Sequence, residues 1–147
     1  MALALTQRGD FIHAAQYATE AISLQGANSQ AHALAGKISF LNGNLQDAEA
    51  QFEQAIAIGS NNPEDREILG LIYLDFGKFE EAVKQFELVL SISPTATRSI
   101  GGLVVALARS GKMSQANATL QKAKAAYPQD QNVQRASQLL SQLGSSQ

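Results

Sequence analysis

The stretch LGLIYLDFGKFEEA, residues 69–82, combines a helical composition with two glycines. Leucine, isoleucine, tyrosine, phenylalanine, lysine, glutamate and alanine dominate it, and several of these residues are strong helix formers. A glycine inside a helix costs about 1 kcal/mol relative to alanine, so Gly70 and Gly77 each need a structural reason. The recurrence of both residues along the chain supplies that reason.

Gly77 and Ala82 each recur at intervals of 34 residues. The chain places glycine at four such positions and alanine at four others: Gly9, Gly43, Gly77 and Gly111, and Ala14, Ala48, Ala82 and Ala116. Large apolar residues recur with the same interval at two further positions: Phe11, Leu45, Phe79 and Met113, and Phe52, Phe86 and Leu120. Self-similarity at a fixed period of this length indicates a repeat architecture.

Each period reads as helix, turn, helix. Around Gly77, apolar residues follow a helical spacing over residues 68–76 and again over residues 79–90. Gly77 lies between the two stripes and is predicted to end the first helix, because glycine reaches the left-handed conformation at no steric cost. On the solvent face of the second helix, Glu80 and Lys84 are predicted to form an i,i+4 ion pair.

Gly70 lies inside the first of these two helices, and Gly36 lies one period earlier. Because the position recurs, a structural role is favoured over a tolerated defect. The absence of a side chain predicts a close approach of two backbones at this point. The position is not glycine in every repeat, since Ala2 and Val104 are equivalent to it.

These residues resemble the tetratricopeptide repeat (TPR), a 34-residue helix–turn–helix unit. The best unit spans residues 63–96 and carries the family pattern as Leu69, Gly70, Tyr73, Gly77, Ala82, Phe86 and Pro94. The early tryptophan of the family is absent, and His32, Arg66 and Ile100 stand in its place. The resemblance implies an all-α fold, a right-handed superhelical solenoid of antiparallel helix pairs with a C-terminal capping helix.

The resemblance predicts one TPR domain over residues 1–143. It contains a partial repeat (1–28), three full repeats (29–62, 63–96 and 97–130) and a capping helix (131–143), followed by a tail (144–147). Half of the first helix is missing, so the chain is either a piece of a longer array, which we favour, or has a short first helix. Because that half-helix would cover them, Phe11, Ala14 and Ala15 are expected to lose part of their cover. An exposed apolar repeat end tends to bind a partner, so we predict a homodimer through the N-terminal repeat end, or a neighbouring chain that covers it.

Composition excludes several classes of function. The net charge of −2 gives no general attraction to nucleic acid, and the absence of cysteine excludes thiolate metal sites. No run approaches the ~20 apolar residues of a membrane span, so no membrane insertion is expected. The compartment is expected to be the cytoplasm or, if a signal was removed, the periplasm. Richness in alanine, glutamine and serine favours a bacterial origin.

No catalytic residue, metal site or cofactor is predicted, and the chain is not expected to be an enzyme. His13 and His32, the only histidines, have no acidic partner at a ligand-like spacing and are interpreted as packing residues. No Ser–His–Asp set or cysteine nucleophile can be assembled from the sequence.

In the family that the chain resembles, the first helix of each repeat lines a concave groove that binds peptides. Projected onto this chain, the groove residues are Lys37, Phe40 and Leu41; Glu64, Glu67, Leu71, Leu74 and Asp75; Arg98, Gly101, Val105, Ala108 and Arg109; and Arg135 from the capping helix. Their charges are acidic in the middle and basic toward the C-terminus. The expected ligand therefore has a basic segment near the former and an acidic segment near the latter. Gly101, followed by Gly102, is interpreted either as a weak helix start or as a groove floor that a ligand backbone can approach.

Three functions remain open, and a scaffold that binds a protein, peptide or helix in the groove is the leading one. The alternatives are a structural module that self-associates through open repeat ends, and a regulatory or targeting TPR domain of a larger protein. Some family members grip a C-terminal carboxylate with a lysine–asparagine pair in one repeat and basic residues two repeats later. Here Ala33 and Lys37 occupy the places of that pair and no asparagine matches, so the clamp is incomplete. RNA recognition is disfavoured by the acidic middle repeat.

Overall fold

The computed structural model describes residues 28–144 and, before them, His13, Gln16, Ala18, Glu20, Ile22 and Ser23. Between residues 28 and 144 the chain forms seven helices and no strand. The helices are α1 (Ser29–Leu41), α2 (Leu45–Ile58), α3 (Pro63–Asp75), α4 (Phe79–Ile92), α5 (Thr97–Arg109), α6 (Met113–Ala126) and α7 (Gln131–Gly144). The all-α fold class predicted from the sequence is confirmed.

The chain divides into two compact units, Met1–Asp65 and Arg66–Gln147, and the boundary falls inside α3. In the first unit α1 packs against α2. In the second unit α5 packs against α4, α6 and α7. The helices that open successive repeats begin at Ser29, Pro63, Thr97 and Gln131, one period apart. The division of the chain into repeats and a single domain stays a prediction.

A glycine with positive φ lies in each of the three short turns that join paired helices. The φ angles are +76° at Gly43, +72° at Gly77 and +82° at Gly111. At Gly77 the backbone N–H donates to the carbonyl of Leu74 (3.2 Å), and the N–H of Lys78 donates to the carbonyl of Tyr73 (2.8 Å). Carbonyls at the end of α3 thus find donors, and the chain reverses within three residues, which makes the paired helices antiparallel. The predicted role of Gly77 is confirmed.

Gly70 and Gly102 make room for the ring of one phenylalanine. A Cβ atom added at Gly70 would lie 2.9 Å from the ring of Phe86, and one added at Gly102 would lie 2.4 Å from it. Phe86 is fully buried. The expectation that Gly70 allows two backbones to approach was therefore wrong in its detail, because the glycine faces an aromatic side chain. In the first unit, an added Cβ at Gly36 would lie 3.1 Å from the ring of Phe52.

One period later, the positions equivalent to Phe86 and Gly70 carry other residues. Leu120 replaces the ring and Val104 replaces the equivalent of Gly70, and both are buried. A smaller side chain on one helix is matched by a larger one on the other, which keeps the packed volume similar.

In two repeats, the residue that replaces the family's tryptophan forms a hydrogen bond to the second helix of its repeat. In the first unit the ring of His32 is bonded through Nδ1 to Oε1 of Gln51 at 2.9 Å. In the second unit Arg66 donates to Oε1 of Gln85 at 3.3 Å, one period later. A polar contact between the paired helices occupies this position in two repeats, while the third repeat has Ile100 there.

Two details of α3 and α4 differ from the prediction: the residue at which α3 ends, and the lysine that pairs with Glu80. Phe76 lies beyond the end of α3 and keeps 37% of its surface exposed, because the chain turns at Gly77. Glu80 pairs with Lys112 at 2.7 Å and not with Lys84, because the turn before α6 brings the Lys112 ammonium next to the carboxylate.

Helix α7 has the character of a capping helix. Val133, Ala136 and Leu140 lie at helical spacing and are buried. Four positions that are apolar and buried in α5 are polar in α7: Gln134, Ser137, Gln138 and Ser141 replace Ile100, Leu103, Val104 and Leu107. A polar outer face suits a helix that closes a stack of repeats.

The predicted dimer surface at the N-terminal end depends on Phe11, Ala14 and Ala15. These three residues lie outside the described residues. Homodimerisation through this end therefore stays a prediction.

Replacing Gly77 by valine is expected to destabilise the second unit by about 1 kcal/mol or more, because a β-branched residue resists positive φ. Gly77→Asn is the matched control, since asparagine tolerates the left-handed conformation and should cost less. Thermal melts of the wild type and the two variants give their melting temperatures, and the valine variant should have the lowest. Equal melting temperatures for the valine and asparagine variants would contradict this role for positive φ.

Gly102→Ala is expected to destabilise the protein by about 1–3 kcal/mol through overpacking against Phe86, although alanine is the better helix former. Phe86→Leu should relieve part of this cost, so the two substitutions should couple in a double-mutant cycle measured by urea unfolding. Gly144→Ala is the control, because an added Cβ there has no atom within 4 Å. Strict additivity of Gly102→Ala and Phe86→Leu would show that the ring does not limit the site.

Candidate ligand-binding groove

A mostly apolar groove of about 180 Å³ lies between α3, α5 and α7 of the second unit. We refer to it as the α3–α5–α7 groove. Its lining consists of Leu71, Leu74, Arg98, Gly101, Gly102, Val105, Asn132, Arg135, Ala136 and Leu139. Six of the predicted groove residues are thereby brought together: Leu71, Leu74, Arg98, Gly101, Val105 and Arg135.

Helical spacing explains why these side chains share one surface. Leu71 and Leu74 are three residues apart on α3, and Arg135 and Leu139 are four residues apart on α7, so each pair lies on one helix face. Leu139 keeps 37% of its surface exposed. The apolar lining of the groove is therefore open to a ligand.

Gly101 and Gly102 are buried inside α5 and serve helix packing. A Cβ added at Gly101 would lie 3.1 Å from the backbone oxygen of Asn132 on α7. The glycine thus lets α5 and α7 approach closely. The interpretation of this pair as a weak helix start is wrong, because α5 begins four residues earlier, at Thr97.

Glu67 is tied into the packing of α3 on α5. Its side chain is only 14% exposed and accepts hydrogen bonds from the hydroxyl of Ser99, which is fully buried, and from Arg98 (3.2 Å). A carboxylate held in this way has two polar partners already. Arg98 nevertheless keeps 62% of its side chain exposed.

The remaining predicted residues do not line this groove. In the second unit, Asp75 and Arg109 are the exposed last residues of α3 and α5, and Ala108 is buried. The guanidinium of Arg109 lies over the ring of Phe79, 5.9 Å from its centre.

In the first unit, Leu41 is 56% exposed and Phe40 is half-buried. Lys37 forms an ion pair with Glu64 at 2.7 Å. The assignment of these three residues and Glu64 to a peptide groove stays a prediction.

The first unit contains a larger and more polar cavity of about 520 Å³ beside Lys37 and Asp65. The carboxylate of Asp65 is buried and accepts hydrogen bonds from Ser60 (2.9 Å) and Asn62 (3.3 Å). The Lys37 ammonium lies 3.6 Å from the same carboxylate. The buried charge of Asp65 is therefore already compensated by protein groups.

Sequence reasoning missed three lining residues: Asn132, Ala136 and Leu139. Gly102 is covered by the interpretation of Gly101 and Gly102 as a groove floor. The period could have found two of them. Leu139 is equivalent to Val105 and Leu71, and Asn132 is equivalent to Arg98 and Glu64. Extending the repeat register into the capping helix would have included both positions.

Helix α7 is held against α5 by a hydrogen-bonded cap. Asp130 accepts from the hydroxyl of Thr97 (2.8 Å) and from the backbone N–H groups of Asn132 (2.8 Å) and Val133 (3.2 Å). The Asn132 amide donates in turn to Thr97 Oγ1 (3.1 Å). These bonds, led by that from Thr97, lower the pKa of Asp130 against the opposing effect of burial.

In the described part of the chain, no helix is long and apolar enough to cross a membrane. No group of three histidine, aspartate or glutamate side chains that could hold a metal ion occurs among the described residues.

The helix pairs, the turn glycines and the groove on the first helices define a helical-repeat module. Two family models described as tetratricopeptide repeat match the chain, one over residues 1–63 and the other over residues 73–143. The chain belongs to the tetratricopeptide repeat family, whose members generally serve as protein-interaction scaffolds.

Solved structures share this fold. A tetratricopeptide repeat protein from Parabacteroides merdae ATCC 43184 aligns with 99% of this chain over 58% of its own, at 16% identity and a TM-score of 0.82. MamA from Desulfovibrio magneticus RS-1 aligns with 99% of this chain and 92% of its own chain, at 17% identity and a TM-score of 0.81. A Thermobaculum terrenum O-GlcNAc transferase aligns with 86% of this chain and 25% of its own chain, at 21% identity and a TM-score of 0.70. No curated protein sequence matches the chain.

The cap of α7 should weaken in acid. Because the pKa of Asp130 is lowered in the folded state, its contribution to stability is present above the unfolded-state pKa and is lost as the pH falls through the folded-state pKa. The melting temperature of the wild type should therefore exceed that of Asp130→Asn at neutral pH, and the difference should shrink below about pH 4. Thr97→Val removes the main donor and should flatten this pH dependence. A difference that is constant with pH would contradict the assignment.

Proposed function

We propose that this chain is a non-catalytic interaction module that binds a peptide or a helix of another protein in the α3–α5–α7 groove. The observation that carries the proposal is the groove itself. Apolar side chains of three successive first helices line an open surface, although they are not needed to fill the core. Burial of such surface by a ligand stabilises a complex by about 25 cal/mol per Å² of apolar area.

The position of the apolar residues supports a ligand with side-chain anchors. Leu74 and Val105 are half-buried, and Leu139 is more exposed, so each presents part of its side chain to a ligand. Grooves between helices commonly bind an amphipathic segment through a few apolar side chains. Membership in a family of protein-interaction scaffolds supports the same function.

A second candidate is a regulatory or targeting domain of a larger protein. The alignment with a Thermobaculum terrenum O-GlcNAc transferase favours it, because this chain corresponds to only 25% of that protein. Such a domain would still bind through the groove. Sequencing of the complete reading frame distinguishes a separate module from a domain joined to a catalytic part.

Leu74→Gln should weaken the binding of groove ligands by about tenfold, since it places an amide where an apolar anchor must be buried. The probes are peptides selected from a displayed library of random short sequences, synthesised with a fluorescent label and titrated by anisotropy. Leu88→Gln is the matched control, because Leu88 is 45% exposed on α4 and does not line the groove.

Circular dichroism first confirms that both variants keep the helical fold. Weaker binding by Leu74→Gln alone supports the groove. If Leu88→Gln loses binding and Leu74→Gln does not, the ligand lies on the surface of the second helices and the proposed site is wrong.

A further inference from the structure

The α3–α5–α7 groove is basic, whereas the whole chain is acidic. The chain carries a net charge of −2. Of the described residues that line the groove, two are arginines, Arg98 and Arg135, and none is aspartate or glutamate. The ligand surface therefore opposes the charge of the molecule that carries it.

Both arginines can still bind an anion. Arg135 is exposed on α7, and no described residue forms an ion pair with it. Arg98 contacts Glu67 through Nη1 at 3.2 Å but keeps 62% of its side chain exposed. A guanidinium has five N–H donors, so this single contact leaves donors that suit a carboxylate.

The nearby carboxylates have partners of their own. Glu67 accepts from Ser99 and Arg98 and is largely withdrawn from solvent. Asp130 accepts from Thr97 and from the first N–H groups of α7. Neither lines the groove. Glu67 compensates the charge of Arg98 in part, whereas Arg135 has no carboxylate partner among the described residues.

We infer that the ligand of this groove is an acidic protein segment with one large apolar anchor. The anchor inserts beside Leu74, Val105 and Leu139, and aspartate or glutamate side chains next to it pair with Arg98 and Arg135. This inference rests on the proposed function. The volume of about 180 Å³ is several times the ~30 Å³ of a water molecule, which gives room for one large side chain.

The basic ligand segment that the sequence predicts near Glu64, Glu67 and Asp75 is not part of this ligand. Glu64 already pairs with Lys37 at 2.7 Å, and Glu67 with Arg98. A cationic ligand group would have to displace these ammonium and guanidinium partners. An acidic ligand meets no such competition at Arg135.

The test uses the full chain and the same random peptide library, and reads the composition of the enriched peptides. We expect them to carry a net negative charge around a leucine, isoleucine or phenylalanine. Replacing their aspartates and glutamates by the corresponding amides should weaken binding by about tenfold, and more at low salt than at high salt.

Arg135→Glu should weaken the acidic peptides by about tenfold, because it replaces attraction by repulsion. Arg135→Lys keeps the charge and should weaken them less. Lys122→Glu is the control, since it makes the same change of charge at an exposed position of α6 outside the groove, and binding should stay within about twofold of wild type.

The outcomes separate this inference from the proposed function. If the selected peptides are neutral or basic, or bind Arg135→Glu as well as wild type, while Leu74→Gln still weakens them, the groove stands and the acidic ligand is wrong. If no peptide is enriched, or Leu74→Gln binds normally, the proposed function fails, and the acidic ligand with it.

Discussion

The ring of Phe86 occupies space that side chains at Gly70 and Gly102 would otherwise fill, and the second unit depends on this fit. Phe86 belongs to α4, and the two glycines belong to α3 and α5, so one buried side chain fixes the spacing of three helices. Because protein interiors are close-packed, even one added methyl group must displace the ring or a helix. The distance between the two first helices α3 and α5 follows from this contact.

The groove is a consequence of that spacing. Leu71 and Leu74 lie one to four residues after Gly70, and Val105 lies three residues after Gly102, so the glycine contacts place the apolar lining. On the other side, Gly101 allows α7 to approach α5, and the cap built from Thr97, Asp130 and Asn132 ties the two helices together. Packing that has no contact with a ligand thus determines where Arg135 and Leu139 stand.

Ion pairs between repeats decide which charges remain for a partner. In the second unit Glu67 pairs with Arg98 and Glu80 with Lys112, 31 and 32 residues apart, close to one period. In the first unit Lys37 pairs with Glu64, 27 residues away. Exposed pairs of this kind contribute at most about 1 kcal/mol to stability. Their larger effect here is on recognition, because they compensate carboxylates and leave Arg135 without a counterion in the described structure.

The sequence by itself determined the fold, because the recurrence of glycine, alanine and large apolar residues records the contacts that every repeat must make. It placed the turn at Gly77 between two helices, since a turn glycine depends on local conformation and the helices depend on the spacing of apolar residues. Only the tertiary structure showed that Gly70 faces a ring, that Glu80 pairs with Lys112 rather than with Lys84, and that Glu67 lies in a packed interface. The reason is that a period shows which positions are equivalent, whereas the partner of a side chain depends on distances between helices that are remote in the sequence.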